Sequence, residues 1–234
     1  MEGTALQDRT DTKFILDRFT LLELLAEVRP SYRMLEVDGV RLNRYETLYY
    51  DTPQFEFYHL HQNGKKNRYK VRNRKYIDSD LAFLEVKFKN NKGRTIKTRV
   101  VVDDFDIDMG SETRTFIEEA SGIRQKLIPA LWNSFTRLTL VSQHDQERLT
   151  IDLGLAFRTG EHTHQMQNLV ILEVKQPKAS RNSVFMRALK EKHIRPERIS
   201  KYCLGMALLR EDVKKNSFKE KILKIEKLED GAAA

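Results

Sequence analysis

Basic side chains fall on every second position of the segment 68–75, RYKVRNRK. Successive side chains of a β-strand point to opposite faces, so Arg68, Lys70, Arg72 and Arg74 would share one face. Charged residues that would share one face of a strand also occur in further segments. They are Glu85, Lys87 and Lys89 on one, Lys97 and Arg99 on a second, Arg148 and Asp152 on a third, Glu173 and Lys175 on a fourth, and Arg137 on a fifth. Cations in excess over a few carboxylates are suited to binding a polyanion, and the carboxylates to holding a divalent metal.

The positive charge is concentrated in one part of the chain. Residues 65–99 contain thirteen Lys or Arg and three acids, whereas the whole chain of 234 residues has a net charge of +8. The remainder is therefore slightly acidic. A local concentration of this kind indicates a polyanion site, and nucleic acid, a phosphoinositide membrane and a phosphate-bearing small molecule are all compatible with it.

Strand patterns are common in the chain and helical patterns lie between them. Alternating or β-branched segments predict strands at 44–50, 67–76, 81–89, 94–103, 135–143, 147–157 and 168–176, with 11–16 as an eighth, and helical periodicity predicts helices at 18–28, 53–62, 112–127, 181–192 and 197–210. Asp17 is the expected N-cap of the first helix. The pattern predicts an α+β fold with a large antiparallel sheet.

The charged faces have two explanations. A solvated outer face is the usual one for an antiparallel strand. Here, however, strongly apolar residues alternate with the charged ones, as Leu172 and Val174 do around Glu173, and amphipathic helices are available to cover the apolar face. Helices outside and charges inside predict a closed barrel with a polar lumen. Because crowded cations repel one another, the lumen is expected to hold anions.

Other features limit the class of protein. No apolar run approaches the roughly 18 to 20 residues of a membrane span, and no apolar stretch near the N-terminus resembles a secretion signal, so we expect a cytoplasmic protein. Cys203, the single cysteine, lies in an apolar helical pattern and is expected in the core. We expect one domain over residues 1–210 and a charged tail or helix over residues 211–234.

Aromatic and histidine residues are further candidates for a functional role. The aromatic-rich stretch 45–58 is compatible with base stacking, but a core role is commoner. His162 and His164 fall in a polar segment, 159–167, which we expect to be a solvated loop.

A set of short motifs in a fixed order resembles the VTC domain, which is named after the vacuolar transporter chaperones, the fungal polyphosphate polymerases. The motifs are DTKF (11–14), KVRNR (70–74), LEVKFK (84–89), TIKTR (95–99), TR (136–137), ERLTIDLGL (147–155), ILEVK (171–175) and SKY (200–202). The domain is one of the triphosphate tunnel metalloenzymes. The resemblance spans about residues 9–210 and implies an eight-stranded antiparallel tunnel that binds triphosphate or polyphosphate with a divalent metal, Mn or Mg.

The resemblance also implies roles for particular residues. The implied phosphate ligands are Lys13, Arg72, Arg74, Lys87, Lys97, Arg99, Arg137 and Arg148, with Lys201 at one tunnel mouth. Glu173 is the implied metal ligand, although an ion pair with a lumen arginine is an alternative role. Lys70 is included among the expected phosphate ligands only because it would lie on the same strand face as Arg72 and Arg74. Lys13, Arg72, Arg74, Lys201 and Glu173 form the implied catalytic set.

The activity that the resemblance implies is transfer of the γ-phosphoryl group of ATP to a growing polyphosphate chain. An inorganic triphosphatase would use the same lumen with water as the nucleophile, and a polyphosphate-binding module would hold a chain without turnover. A nucleic-acid-binding protein is a third possibility, although we expect no nucleic acid partner. A membrane partner is compatible with the sequence.

The sequence departs from the family pattern in two places. The fungal proteins have a further arginine where this chain reads HLHQNGK (59–65), so that His59 or His61 stands near it and Lys65 or Arg68 could replace the charge. The regulatory SPX domain and the membrane helices of the fungal proteins have no counterpart here. The related CYTH branch has an ExExK motif where this chain reads RTDTKF, which makes CYTH-type activities less compatible.

Overall fold

Ten antiparallel strands form one sheet in the computed structural model, which describes residues 9–231. They are β1 (Thr10–Asp17), β2 (Tyr32–Met34), β3 (Leu42–Asp51), β4 (Arg68–Tyr76), β5 (Leu81–Lys89), β6 (Thr95–Val102), β7 (Ile128–Ser142), β8 (Arg148–Thr159), β9 (His162–Met166) and β10 (Leu169–Gln176). Eight follow the order β1-β10-β8-β7-β3-β4-β5-β6, while β2 pairs with β7 and β9 pairs with β8. The predicted α+β class with a large antiparallel sheet is confirmed.

Short helices flank the sheet. They are α1 (Arg18–Val28), α2 (Glu56–Gln62), α3 (Ser111–Ser121), α4 (Val184–Glu191), α5 (Lys201–Leu209) and α6 (Lys219–Glu229). Asp17 caps α1 by accepting a hydrogen bond from the Thr20 backbone N–H at 2.8 Å. α3 is shorter than predicted because Gly122 adopts a left-handed φ of 72° and ends it. No helix within residues 9–231 combines the length and the apolar character needed to cross a bilayer.

The outer face of the sheet is apolar and lies under helices. Phe14, Leu149 and Val174 pack with α1 and α4 in one buried cluster. Val71 and Val86, on strands farther along the sheet, pack toward α3 in another. The arrangement of helices outside and charges inside, which the alternation predicted, is therefore present.

The inner face is covered at one end by α5. Tyr202 and Met206 of this helix are buried among side chains of several strands. A Cβ atom at Gly205 would lie 2.5 Å from Cδ1 of Phe157 and 2.6 Å from Cδ2 of Leu131, so the helix approaches the sheet as closely as only glycine permits. The charged segment after residue 210 also contributes here, since Ile225 of α6 is buried in the same cluster.

The start of α5 shows how far the sheet curves. Lys13 of β1 donates to the Ile199 backbone oxygen at 3.1 Å, and Lys70 of β4 donates to Ser200 Oγ at 3.0 Å. Lys201, the next residue, pairs with Asp152 of β8. Three separated strands thus converge on one helix end, although no pairing within residues 9–231 joins β1 to β6. The sheet is open, and the expected closed eight-stranded barrel is not confirmed.

Two short strands were missed in the sequence. β9 occupies part of the segment that we expected to be a polar loop, and its residues His162 and His164 are exposed. β2 adds three residues beside β7. Both are too short to show a clear alternation, which is why the pattern did not reveal them.

Candidate functional site

The row of cations on β4 divides into an inner group and one terminal residue. Lys70, Arg72 and Arg74 occupy the inner face, and the two arginines are each only 7% exposed. Arg68, at the beginning of the strand, instead donates from Nη1 to the Lys65 backbone oxygen at 2.7 Å. The alternation puts all four basic residues on the same face, and Arg68 differs from the others in bonding to the backbone of the segment that precedes the strand.

Glu85 lies between two of the predicted phosphate ligands. Its side chain is fully buried, accepts a hydrogen bond from Arg72 Nε at 2.5 Å and also pairs with Lys97 of β6. Burial alone would raise the pKa of Glu85, but Arg72 and the neighbouring cations hold it well below its ordinary value. One carboxylate thus partly neutralises two cations of different strands.

On β8, Asp152 plays the part that Glu85 plays on β5, that of one carboxylate that pairs with two cations. It accepts from Arg137 Nε at 2.6 Å and from Arg137 Nη2 at 2.8 Å, a bidentate pair, and it also pairs with Lys201. Burial lowers the pKa of Lys201 to about 8, and Arg137 adds to the effect although Asp152 opposes it. The structure therefore brings Arg137 and Lys201 together, as expected for residues of one site.

Glu173 lies beside two lysines rather than an arginine. The strand register sets it opposite Lys13, and its carboxylate pairs with Lys175 two residues along β10. Burial raises the pKa of Glu173, but Lys175 and then Lys13 outweigh burial and lower it. Lys175 was absent from the set implied by family resemblance, although its position two residues after Glu173 was the signal that could have included it.

The metal-ligating capacity of the inner face is limited. No group of three or more His, Cys, Asp or Glu side chains within residues 9–231 is arranged to hold a metal. Thr150, opposite Glu173 in the register, has a buried hydroxyl without a hydrogen-bond partner in the described chain. One carboxylate beside an unsatisfied hydroxyl fits a Mg²⁺ or Mn²⁺ ion that takes most of its ligands from substrate phosphates and water. It does not fit a preformed cage.

Arg74 and Lys87 are among the predicted phosphate ligands that form no ion pair with a carboxylate in the part of the chain that is described. Arg74 donates from Nε to Thr47 Oγ1 at 3.1 Å, and burial followed by the charge of Arg72 lowers its pKa to about 10. Lys87 forms no ion pair there, and burial and Arg72 lower its pKa well below the ordinary value. Burial, the largest cause in both cases, disfavours the charged form, and no ion pair within the described chain offsets it.

The remaining predicted ligands lie nearer the edges. Arg99 of the exposed strand β6 places its guanidinium 4.6 Å from the ring centre of Phe83. Arg148 is half-buried and lies opposite Lys175 in the register of β8 and β10. These two arginines therefore share the inner face with the others but lie nearer its periphery.

An aromatic layer supports the arginines in the middle of the sheet. The rings of Tyr45 and Phe135 are stacked with centres 5.1 Å apart. The guanidinium of Arg74 lies 5.6 Å from each ring centre, and that of Arg137 lies 5.1 Å from Tyr45. These contacts fix the arginine planes by cation–π attraction. From the sequence we expected Tyr45 in the core, and the pattern did not indicate that it would orient cations.

His61 does not replace the charge of the arginine found in the fungal proteins. Burial, and then Lys70 and Arg68, lower its pKa to about 2, so the imidazole is neutral at physiological pH. Arg68 is the nearby permanent cation. Of the two cations considered as replacements, Lys65 is exposed, whereas Arg68 is half-buried and near His61.

The inner face thus combines the ordered motifs of the sequence into one basic surface. The family model of the VTC domain matches residues 8–210. This chain belongs to the VTC domain family. The resemblance drawn from the motifs is confirmed, and the VTC match covers the whole ten-stranded sheet and α1 to α5. No curated protein matches the chain at a significant level.

Solved structures share the fold at low identity. HpAC1 from Hippeastrum, assigned as an adenylyl cyclase and described as having a dominant triphosphatase activity, is 13% identical, with a TM-score of 0.52 and coverage of 87% of this chain and 98% of that chain. A conserved hypothetical protein from Pyrococcus furiosus is 14% identical, with a TM-score of 0.44 and coverage of 83% and 99%. At this identity the first likeness indicates a common fold alone.

Proposed function

We propose that this VTC domain is a metal-dependent phosphotransferase that moves the γ-phosphoryl group of ATP to the end of an inorganic polyphosphate chain. The substrate chain lies along the basic inner face of the curved sheet. Because ATP is abundant in the cytoplasm, we place the activity there. Membership of the VTC family supports this reaction class.

The observation that carries the proposal is the buried positive charge that the protein leaves unneutralised. Arg74 and Lys87 lie on the inner face without a carboxylate partner in the described chain, and the pKa values of both are lowered. Holding unpaired cations at reduced dielectric costs free energy. A bound polyanion removes that cost, and a row of phosphates matches cations repeated along adjacent strands.

The residues divide the chemistry between them. Arg72, Arg74 and Lys87 bind phosphate oxygens and neutralise the negative charge that develops on the transferred group. Arg137 and Lys201, held by Asp152, approach the same group from the opposite strands, and Lys13 lies beside Glu173. Lys70, Lys97, Arg99 and Arg148 extend the binding surface along the chain. A terminal oxygen of the polyphosphate chain attacks the γ-phosphorus, the bond to the β,γ-bridging oxygen breaks and ADP leaves, so no side chain has to act as a nucleophile.

Glu173 would hold a divalent ion together with the substrate phosphates. When bound, the ion supplies charge neutralisation and alignment of the attacking and leaving oxygens. Lys175 pairs with the carboxylate in the metal-free protein and keeps it ionised. The proposal therefore includes Mg²⁺ or Mn²⁺ as a cofactor that arrives with ATP.

The product distinguishes the proposed transferase from its main rival, a triphosphatase. In both reactions the cationic face would stabilise the same transferred group, and they differ in whether a phosphate chain or water attacks. The protein is incubated with ATP and Mn²⁺, and the products are separated on a gel. Long polyphosphate supports the polymerase, and free phosphate alone supports a triphosphatase. Tight polyphosphate binding without turnover, unaffected by Glu173→Ala, would instead identify a binding module.

A further inference from the structure

An aromatic and apolar rim borders one end of the basic inner face. The strand register puts Tyr76 opposite Leu81 and Phe83 opposite Val101, so these four side chains share the inner face with the cations. Leu81 is 48% exposed and Val101 is 63% exposed. The rings of Tyr76 and Phe83 are half-buried, with centres 5.7 Å apart in an edge-on arrangement.

The rim continues directly from the proposed phosphate ligands. Tyr76 follows Arg74 by two residues on β4, and Val101 follows Arg99 by two residues on β6, a separation of about 7 Å along a strand. The guanidinium of Arg99 lies over the Phe83 ring at 4.6 Å. A cationic surface that leads into two half-buried rings and two exposed aliphatic side chains matches a ligand with phosphates at one end and a flat aromatic group at the other.

We propose that this rim, formed by Tyr76, Leu81, Phe83 and Val101, is a nucleobase subsite that receives the base of a nucleoside triphosphate. The inference rests on the proposed function, because it requires the triphosphate to lie on the adjacent cations. Stacking on an aromatic ring is tolerant of base identity, since every base has a π-face. The subsite therefore selects nucleoside triphosphates over inorganic ones and discriminates weakly between adenine and guanine.

The test separates the base from the phosphates. Affinities for ATP, methyl triphosphate and inorganic tripolyphosphate are measured by calorimetry in EDTA, so that no phosphate is transferred. Methyl triphosphate carries the same triphosphate ester as ATP but lacks the nucleoside. We expect wild-type protein to bind ATP about tenfold more tightly than methyl triphosphate, which is in the range for one stacked base.

The variants locate the effect on the rim. Phe83→Leu and Tyr76→Leu should bring the affinity ratio of ATP to methyl triphosphate close to one while leaving tripolyphosphate binding unchanged. Phe88→Leu is the matched control, because Phe88 lies on the same strand, is half-buried and stacks on Tyr69 at 4.7 Å, but faces the outer side. This variant should keep the tenfold ratio. The fluorescence of 2-aminopurine riboside triphosphate should be quenched by wild type and by Phe88→Leu, and much less by Phe83→Leu.

Two results would overturn the inference while the proposed function survives. One is equal affinity of wild type for ATP and methyl triphosphate, with tripolyphosphate still bound. The other is an affinity ratio that Phe83→Leu and Tyr76→Leu do not change. If wild type binds ATP and methyl triphosphate equally and is a dimer that Val101→Ser converts to a monomer, the rim is a self-association surface instead. If none of the three triphosphates binds, the proposed function itself fails.

Discussion

The inner face has two walls that differ in their charge balance. The basic wall, on β4 to β6, comprises Lys70, Arg72, Arg74, Glu85, Lys87, Lys97 and Arg99, whereas the mixed wall, on β7, β8, β10 and β1, comprises Arg137, Arg148, Asp152, Glu173, Lys175, Asp11 and Lys13. In the basic wall one carboxylate, Glu85, serves two cations. In the mixed wall Asp152 and Glu173 each pair with at least one cation. The basic wall therefore carries a large excess of positive charge, whereas the charges of the mixed wall are nearly balanced, and our proposal assigns the phosphate chain to the first and the metal ion to the second.

The largest expected effect comes from removing the carboxylate proposed for the metal. Glu173→Gln keeps the size of the side chain but removes its charge, so turnover with ATP and Mn²⁺ should fall about a hundredfold, comparable to the loss of one important electrostatic contact. Tripolyphosphate binding measured in EDTA should be retained. Rates and affinities of the same preparation provide both readouts.

Glu23→Gln controls for general loss of a carboxylate. Glu23 pairs with Lys192 at 2.7 Å between α1 and α4 on the outer side. Its turnover should match wild type. Equal turnover of Glu173→Gln and wild type would contradict the assignment of the metal ion to the mixed wall.

The second prediction contrasts two neighbouring arginines of the basic wall. Arg72→Met leaves Glu85 buried with Lys97, and the free energy of unfolding should fall by about 3 kcal/mol. Arg74→Met removes a buried cation without a carboxylate partner in the described chain, so the free energy of unfolding should not fall. Both variants should bind tripolyphosphate more weakly. Urea denaturation measures stability, and equal destabilisation of the two variants would contradict the charge balance described for this wall.

The sequence predicted the strands better than their assembly. Alternation over β4, β5 and β6 located the strands and put Arg72, Lys87 and Lys97 on one face, because the period of two is a local property. The pairing of Glu85 with Arg72 and Lys97, the convergence of three strands on α5 and the open edge all depend on residues distant in sequence. The closed barrel was expected both from the charged inner faces of the strands and from the family resemblance, and a local pattern could not test closure.

A third, smaller effect should come from Lys87, another cation of the basic wall that has no carboxylate partner in the described chain. Lys87→Met removes a positive charge whose pKa burial has lowered. Tripolyphosphate affinity should therefore fall about tenfold, the scale of one charge-assisted hydrogen bond. The free energy of unfolding of the ligand-free protein should rise. Lys92→Met, in the exposed turn between β5 and β6, removes the same charge outside the site and should change neither quantity. A loss of stability in Lys87→Met would show that the protein itself neutralises this lysine.

The smallest expected effect is proton uptake, which involves one lysine from the basic wall and one from α5. The pKa of Lys70 and the pKa of Lys201 are each lowered to about 8, first by burial. A bound anion favours the charged forms and raises both pKa values. At pH 8 binding of methyl triphosphate should therefore take up protons, of which Lys70 and Lys201 together contribute about one per complex. Near pH 6 these two lysines should contribute little because both are already protonated. Calorimetry in buffers of different ionisation enthalpy gives the number, and proton release at pH 8 would contradict the assignment.

The most direct test of the account is a calorimetric titration of the metal-free protein with tripolyphosphate, repeated with Arg74→Met and in the presence of duplex DNA. If the basic wall is a phosphate site, wild type binds one tripolyphosphate, Arg74→Met binds it much more weakly, and DNA does not compete. Absence of saturable binding, or binding that DNA displaces and Arg74→Met leaves unchanged, would contradict the claim that the inner face is built for a phosphate chain.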